Sequence, residues 1–134
     1  MTITLWKKPS SRLDELEHLP EIAHVSRADR RRLLAVFDEV WVPSGTTVLR
    51  RGDRVGHLYL IAAGTVSTTT GEGTLVLHGP GQPVALRALL HDGWLDGPIV
   101  AVTDVQLWTM RGHELRIACK DIPGFALGLL ESAA

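Results

Sequence analysis

The sequence predicts a mainly β domain, a jelly-roll-like core with helices at both ends. Three observations predict it. Short β-branched and apolar runs alternate with Gly- and Pro-containing turns, the hydrophobic period switches from helical to alternating at Val40, and helical patterning resumes after Gly112. At 134 residues the chain has the size of one domain. Such a length can bury a core without help from disulfides or metal.

Taken in order, residues 1–19 read as an N-terminal arm and a short helix. The arm carries Trp6, Lys7, Lys8 and Pro9, and Ser11 and Asp14 stand at capping-box spacing before a helix that Pro20 stops. The domain proper is then 20–134. Ser26 and Asp29 mark a stronger helix start, with Leu33, Leu34 and Phe37 on one face and Arg27, Arg30, Arg31 and Arg32 filling the other. Those four arginines fit a phosphate patch or a solvated face with acidic neighbours, and the second reading is preferred.

From Val40 the chain alternates. Val40–Val42 and Thr46–Leu49 read as strands around the turn at Pro43, and Arg50–Asp53 as a charged turn. His57–Ile61 and Thr65–Thr70 follow, then a hairpin through Gly71-Glu-Gly73 and a return strand over Thr74–Leu77. Gly45, Gly52 and Gly64 are expected at tight corners, where a Cβ would crowd the backbone. Tyr59 and Leu60 point to opposite faces of one strand, so one fills the roll and the other meets the outer helices. After a short apolar stretch, Val84–Leu90, and a loop, His91–Pro98, the closing strands are Ile99–Val102 and Val105–Met110. Gly112–Ala118 and Phe125–Leu130 are the final helices, joined at Asp121-Ile-Pro123.

Composition narrows the function. The 14 basic and 15 acidic residues leave a formal charge of -1, which gives no global attraction to nucleic acid or acidic membrane. Cys119 is the single cysteine, so no internal disulfide forms, and its apolar neighbourhood suits a small core residue better than a nucleophile. The first residues place charge after a very short apolar stretch, opposite to a signal peptide, and no run reaches the roughly 18–20 apolar residues of a membrane span. Cytoplasmic location without membrane insertion is the expectation. The six histidines are scattered and match no metal motif. No nucleophile elbow, phosphate loop or dinucleotide fingerprint occurs. No catalytic residues, metal or cofactor are therefore expected.

Pro43-Ser-Gly-Thr-Thr-Val-Leu-Arg-Arg-Gly-Asp53, His57-Leu-Tyr-Leu-Ile-Ala-Ala-Gly-Thr-Val66 and Gly79-Pro-Gly-Gln82, in this order and at these intervals, resemble the cyclic-nucleotide-binding domain family. Ile99–Met110 is similar to the last two strands of that family's roll, and the likeness runs over about residues 20–131. It implies a double-stranded β-helix fold. It also implies a ligand site at a short helix entered after Gln82, with glycine then glutamate at its start and an arginine beyond the following loop. The glutamate meets the ribose hydroxyl, while amides and the arginine hold the cyclic phosphate. In this chain Ala85 stands at the glycine position, Leu86 at the glutamate position and Leu95 near the arginine position, with Pro98 where a small or hydroxyl residue is expected.

The resemblance thus predicts the fold while questioning the ligand. A charge-assisted hydrogen bond contributes roughly 1.5–3 kcal/mol. Loss of both anchors amounts to about 3–6 kcal/mol, or two to four decades of affinity. Arg87 is the one nearby substitute, since no arginine lies between it and Arg111, and Asp92 and Asp96 would repel a phosphate. Two readings stay open. In one, the chain is a regulatory or interaction module, with a protein partner or a second copy, whose pocket its own leucines fill. In the other, it senses a small ligand in a pocket near Val84, Ala85, Leu86, Arg87, Leu89 and Leu95. Trp94 serves as a lid, an interfacial anchor or a core residue. The residues after the roll leave no room for the dimerising helix and helix-turn-helix of family transcription factors, so sequence-specific DNA binding by this chain is not expected.

Overall fold

The computed structural model describes residues 22, 25–91 and 93–133. The arm and helix expected over 1–19 lie outside them. Helix α1 (Arg27–Val36) starts where expected: the Ser26 hydroxyl accepts the amide of Asp29 at 3.2 Å. Arg27, Arg31 and Arg32 are exposed and Arg30 is half-buried, and Arg32 pairs with Asp29 at 3.2 Å and Asp121 at 3.5 Å.

Eight strands follow, β1 (Asp38–Val42), β2 (Thr47–Leu49), β3 (His57–Ala63), β4 (Val66–Thr69), β5 (Leu75–His78), β6 (Pro83–Val84), β7 (Ile99–Ala101) and β8 (Val105–Arg111). Helix α2 (Leu86–Leu90) interrupts them, and α3 (Gly112–Asp121) and α4 (Pro123–Ala133) close the chain. The strands form two four-stranded antiparallel sheets, ordered β1-β8-β3-β6 and β2-β7-β4-β5.

Alternation along β3 and β8 gives the molecule two cores. Ile61, Val105 and Leu107 face the second sheet and join Val40, Val42, Val48, Val66, Val84, Ile99 and Ala101 inside the roll. Leu58, Leu60, Trp108 and Met110 face the other way, onto Leu33 and Phe37, onto Leu115 and Ala118 of α3, and onto Phe125 and Leu129 of α4. Tyr59 packs on the first cluster and Leu60 lies in the second, as their alternation predicts. Phe37 ties helices to sheet through edge-on contacts, at 6.0 Å to the Trp108 ring and 6.1 Å to that of Phe125. Cys119 lies half-buried beside this helical core, and burial pushes its thiol pKa up, away from the nucleophilic thiolate.

The corner glycines are explained in two ways. At Gly64 the expected crowding is present, since a Cβ would overlap the Asp104 carbonyl. Gly45 and Gly52 have open space around them, and their positive φ values of 84° and 85°, not crowding, are what favour glycine. A further position, not foreseen, is tighter. A Cβ on Gly97 would overlap the carbonyl of Thr69, so the loop before β7 can lie against β4 only with glycine there. Gly97→Ala is expected to lower unfolding stability by about 3 kcal/mol through this backbone overlap. A urea-denaturation loss under about 1 kcal/mol would show that the loop is not pressed against β4.

Candidate functional site

The site begins where β6 ends. Ala85 takes φ 58° and ψ 23°, making it the single non-glycine residue at positive φ among the described residues. Through this left-handed corner the chain enters α2, which lasts five residues before the amide of His91 bonds back to the Arg87 carbonyl at 3.1 Å. The amide of Gly93 bonds to the Ala88 carbonyl at 2.7 Å and reverses the chain.

The next residues run alongside the turn between β2 and β3. The Leu95 amide donates to the Asp53 carbonyl at 3.0 Å, the Gly52 amide donates to the Leu95 carbonyl at 2.8 Å, and the Val55 amide donates to the Gly93 carbonyl. Arg54 and Trp94 stand opposite each other in this ladder, the guanidinium carbon 5.5 Å from the indole centroid. The ladder drives Leu95 into the roll core, where it is 8% exposed.

Between α2, residues 94–97 and strands β4 and β5 lies an open cleft of about 890 Å³. Ala85, Leu86, Arg87, Trp94 and Leu95 all line it, so the structure brings five of the seven expected residues together. Val84 does not belong to it: its side chain is buried in the roll core, because it continues the inward alternation of β6 opposite Tyr59. Leu89 is also displaced. It lies on another side of α2, packs against both cores and lines a different cleft. Trp94 is 55% exposed, which rules out the core role considered for it. Leu95 is buried in the roll core and Leu86 packs against the helical core, while both also line the open cleft.

Thr68, His78 and Ser132 are among the lining residues that were not anticipated. Thr68 follows Val66 by two and so shares its inward face, and His78 stands opposite Val66 in the ladder. Strand alternation carried forward from Val66 would have found both. Ser132, near the end of α4, could not be placed by any local pattern. The Thr68 hydroxyl and His78 Nε2 are 2.9 Å apart, and burial lowers the His78 pKa from its ordinary value. Charge in the cleft is sparse and mixed. Exposed Arg87 has no ion pair among the described residues, and Asp96 supplies an opposite charge on the facing loop. Among the described residues no three His, Cys, Asp or Glu side chains gather to hold a metal ion, and no helix is long and apolar enough to cross a membrane.

Two facing antiparallel sheets, with a short helix at the mouth of their cleft, define a β-roll of the sensor type. The family model described as the cyclic nucleotide-binding domain matches residues 39–121. The chain belongs to the cyclic nucleotide-binding domain family, whose members are regulatory or sensor modules and not catalytic domains. Over 113 residues it is 32% identical to Rap guanine nucleotide exchange factor 3 of Homo sapiens, a match covering 78% of this chain and 11% of that protein. The chain therefore spans about a tenth of the length of the curated relatives it matches. It is similar in structure to the N-terminal domain of a transcriptional regulator from Streptomyces coelicolor, with 25% identity, a TM-score of 0.65, and 89% of this chain and 86% of that one covered. It is also similar to the Catabolite Activator Protein of Thermus thermophilus, with 26% identity, a TM-score of 0.71, and 84% and 55% covered.

Two measurements test this geometry. A non-glycine residue at positive φ costs about 1–2 kcal/mol, so Ala85→Gly is expected to raise stability by about 1 kcal/mol; a loss in chemical denaturation would contradict the left-handed corner. For His78, the folded state favours the neutral ring, so the unfolded chain takes up the proton first as the pH falls. Its contribution is complete above the unfolded value near 6.5 and is lost toward acid. His78→Gln is accordingly expected to lose less stability than the parent between about pH 7.5 and 5.5. Equal losses in urea melts of the two proteins would refute the assignment.

Proposed function

We propose that this chain is a regulatory module whose main cleft does not grip cAMP or cGMP in its family's usual manner. The observation that carries the reading is that Leu86 and Leu95 line the cleft at the positions where the family resemblance places an acid and an arginine. Leu95 is bound by its own backbone to Gly52 and Asp53, so a small loop shift does not exchange it for a charged side chain. The left-handed φ of Ala85 supports the register of that correspondence, because the family carries glycine there. Arg87 is solvent-exposed and faces a cleft that also contains Asp96, an arrangement that favours no anion strongly.

The open volume supports a second reading, in which the cleft takes a small ligand with an apolar part, packed against Leu86, Leu95 and the exposed Trp94 ring. An interaction role draws its support from elsewhere. Edge strand β5 exposes Leu75 and Leu77, at 63% and 61%, an apolar pair that solvent disfavours.

Calorimetric titration with cAMP and with cGMP is expected to give no saturable binding at micromolar concentrations, about two to four decades weaker than a site with both anchors. Micromolar binding that Arg87→Ala abolishes would overturn the proposal and relocate the phosphate contact to that arginine.

A further inference from the structure

On another side of α2 lies a second cleft, of about 400 Å³, with a different chemical character. Its floor is small and apolar. A Cβ on Gly112 would meet the Gly56 carbonyl oxygen and a Leu89 methyl, both at 3.3 Å, and the Arg54 side chain passes over Gly93, within 3.5 Å of where a Cβ would stand. Its polar lining is entirely basic among the described residues: Arg54, Arg111 and Arg116, with His57, His91 and His113. No aspartate or glutamate among the described residues lines it, although the whole chain has slightly more acids than bases.

The arrangement runs against local pairing rules. His57 and Arg111 are direct cross-strand partners in β3 and β8, positions where opposite charges or apolar pairs stabilise and two bases do not. His113 and Arg116 follow at i,i+3 spacing on α3 and bring two further bases to the same cleft. None of the three arginines is in an ion pair among the described residues, and Arg54 is held by the Trp94 ring instead. Where a folded chain gathers like charges in a concave site whose described lining residues carry no counter-charge, an anion from solution is the natural partner.

We propose that this second cleft is an anion site, distinct from the family's ligand cleft, that takes a small multiply charged phosphate compound. Guanidinium groups present forked donors that match phosphate oxygens, and an imidazole offers a donor in either protonation state. The volume lies at the small end of ligand pockets, which suits a compact oligophosphate. This inference does not depend on how the main cleft treats cyclic nucleotides, because the two share only His91 in their linings.

The probe is inorganic pyrophosphate, titrated calorimetrically into the whole chain at low ionic strength, with inorganic phosphate as the singly phosphorylated comparison. Saturable binding is expected, tighter for pyrophosphate than for phosphate, and weakened by added salt. Arg116→Ala and Arg111→Ala alter exposed side chains, so folding is expected to persist, and near-UV circular dichroism verifies it. Each is expected to weaken pyrophosphate about tenfold or more, as loss of a charge-assisted contact does, while Arg87→Ala in the main cleft leaves it unchanged. No saturable binding, equal weakening by Arg87→Ala, or indifference to both cleft variants would overturn the proposal.

Discussion

The short ladder between residues 52–55 and 93–95 is the constraint on which the site depends. Without it little in the backbone would fix the eight residues between α2 and β7, or hold Leu95 at the edge of the roll core. Three backbone hydrogen bonds and the Arg54–Trp94 stack fix the loop instead. One side of the ladder presents Leu95 to the roll core, and Gly97 then carries the chain against Thr69 of β4. The wall of the main cleft is therefore continuous with the core, and its shape is set by packing more than by the rotamers of exposed side chains.

The same economy appears in β3 and β8. Each is apolar on both faces because each serves two cores, one between the sheets and one beneath the helices. Phe37 joins the end of α1 to Trp108 of β8 and to Phe125 of α4, so the terminal helices and the central sheet share one aromatic hub. Leu86 and Leu89, which line the two clefts, pack against the core cluster that contains this hub. Changes in α2 therefore reach the scaffold through these two leucines, while the ring contacts of Phe37 themselves involve no α2 residue.

Much of the scaffold was legible in the sequence because its signals are local. Ser26 caps α1, strand alternation assigns Tyr59 and Leu60 to opposite faces, and Gly71-Glu-Gly73 turns a hairpin. The site was legible in part. Leu86, Arg87, Trp94 and Leu95 could be nominated from their order after the Gly79–Gln82 turn, but which face of a five-residue helix each occupies is decided by tertiary contacts. Leu89 and Val84 show the limit: both are apolar and adjacent in sequence to cleft residues, and both are claimed by cores. The two leucines at the cleft are shared in the same way, Leu95 with the roll core and Leu86 with the helical core.

The basic cleft was invisible to sequence reading because its charges come from four separate places: the β2–β3 turn, the loop after α2, the β3–β8 pair and the first two turns of α3. None forms a run, and the net charge of the chain hides them. Their location has a physical consequence. The loop that carries Leu95 also carries Gly93 and His91 toward the second cleft, and Arg54 stacks on its Trp94. Cationic character is therefore not absent from the neighbourhood of α2. It is concentrated on the side away from Leu86, separated from the main cleft by a loop whose backbone is pinned at Asp53 and Val55. On the anion-site proposal, a phosphate drawn toward α2 is steered to the cleft with the basic lining and away from the main cleft, where Arg87 and Asp96 offset each other.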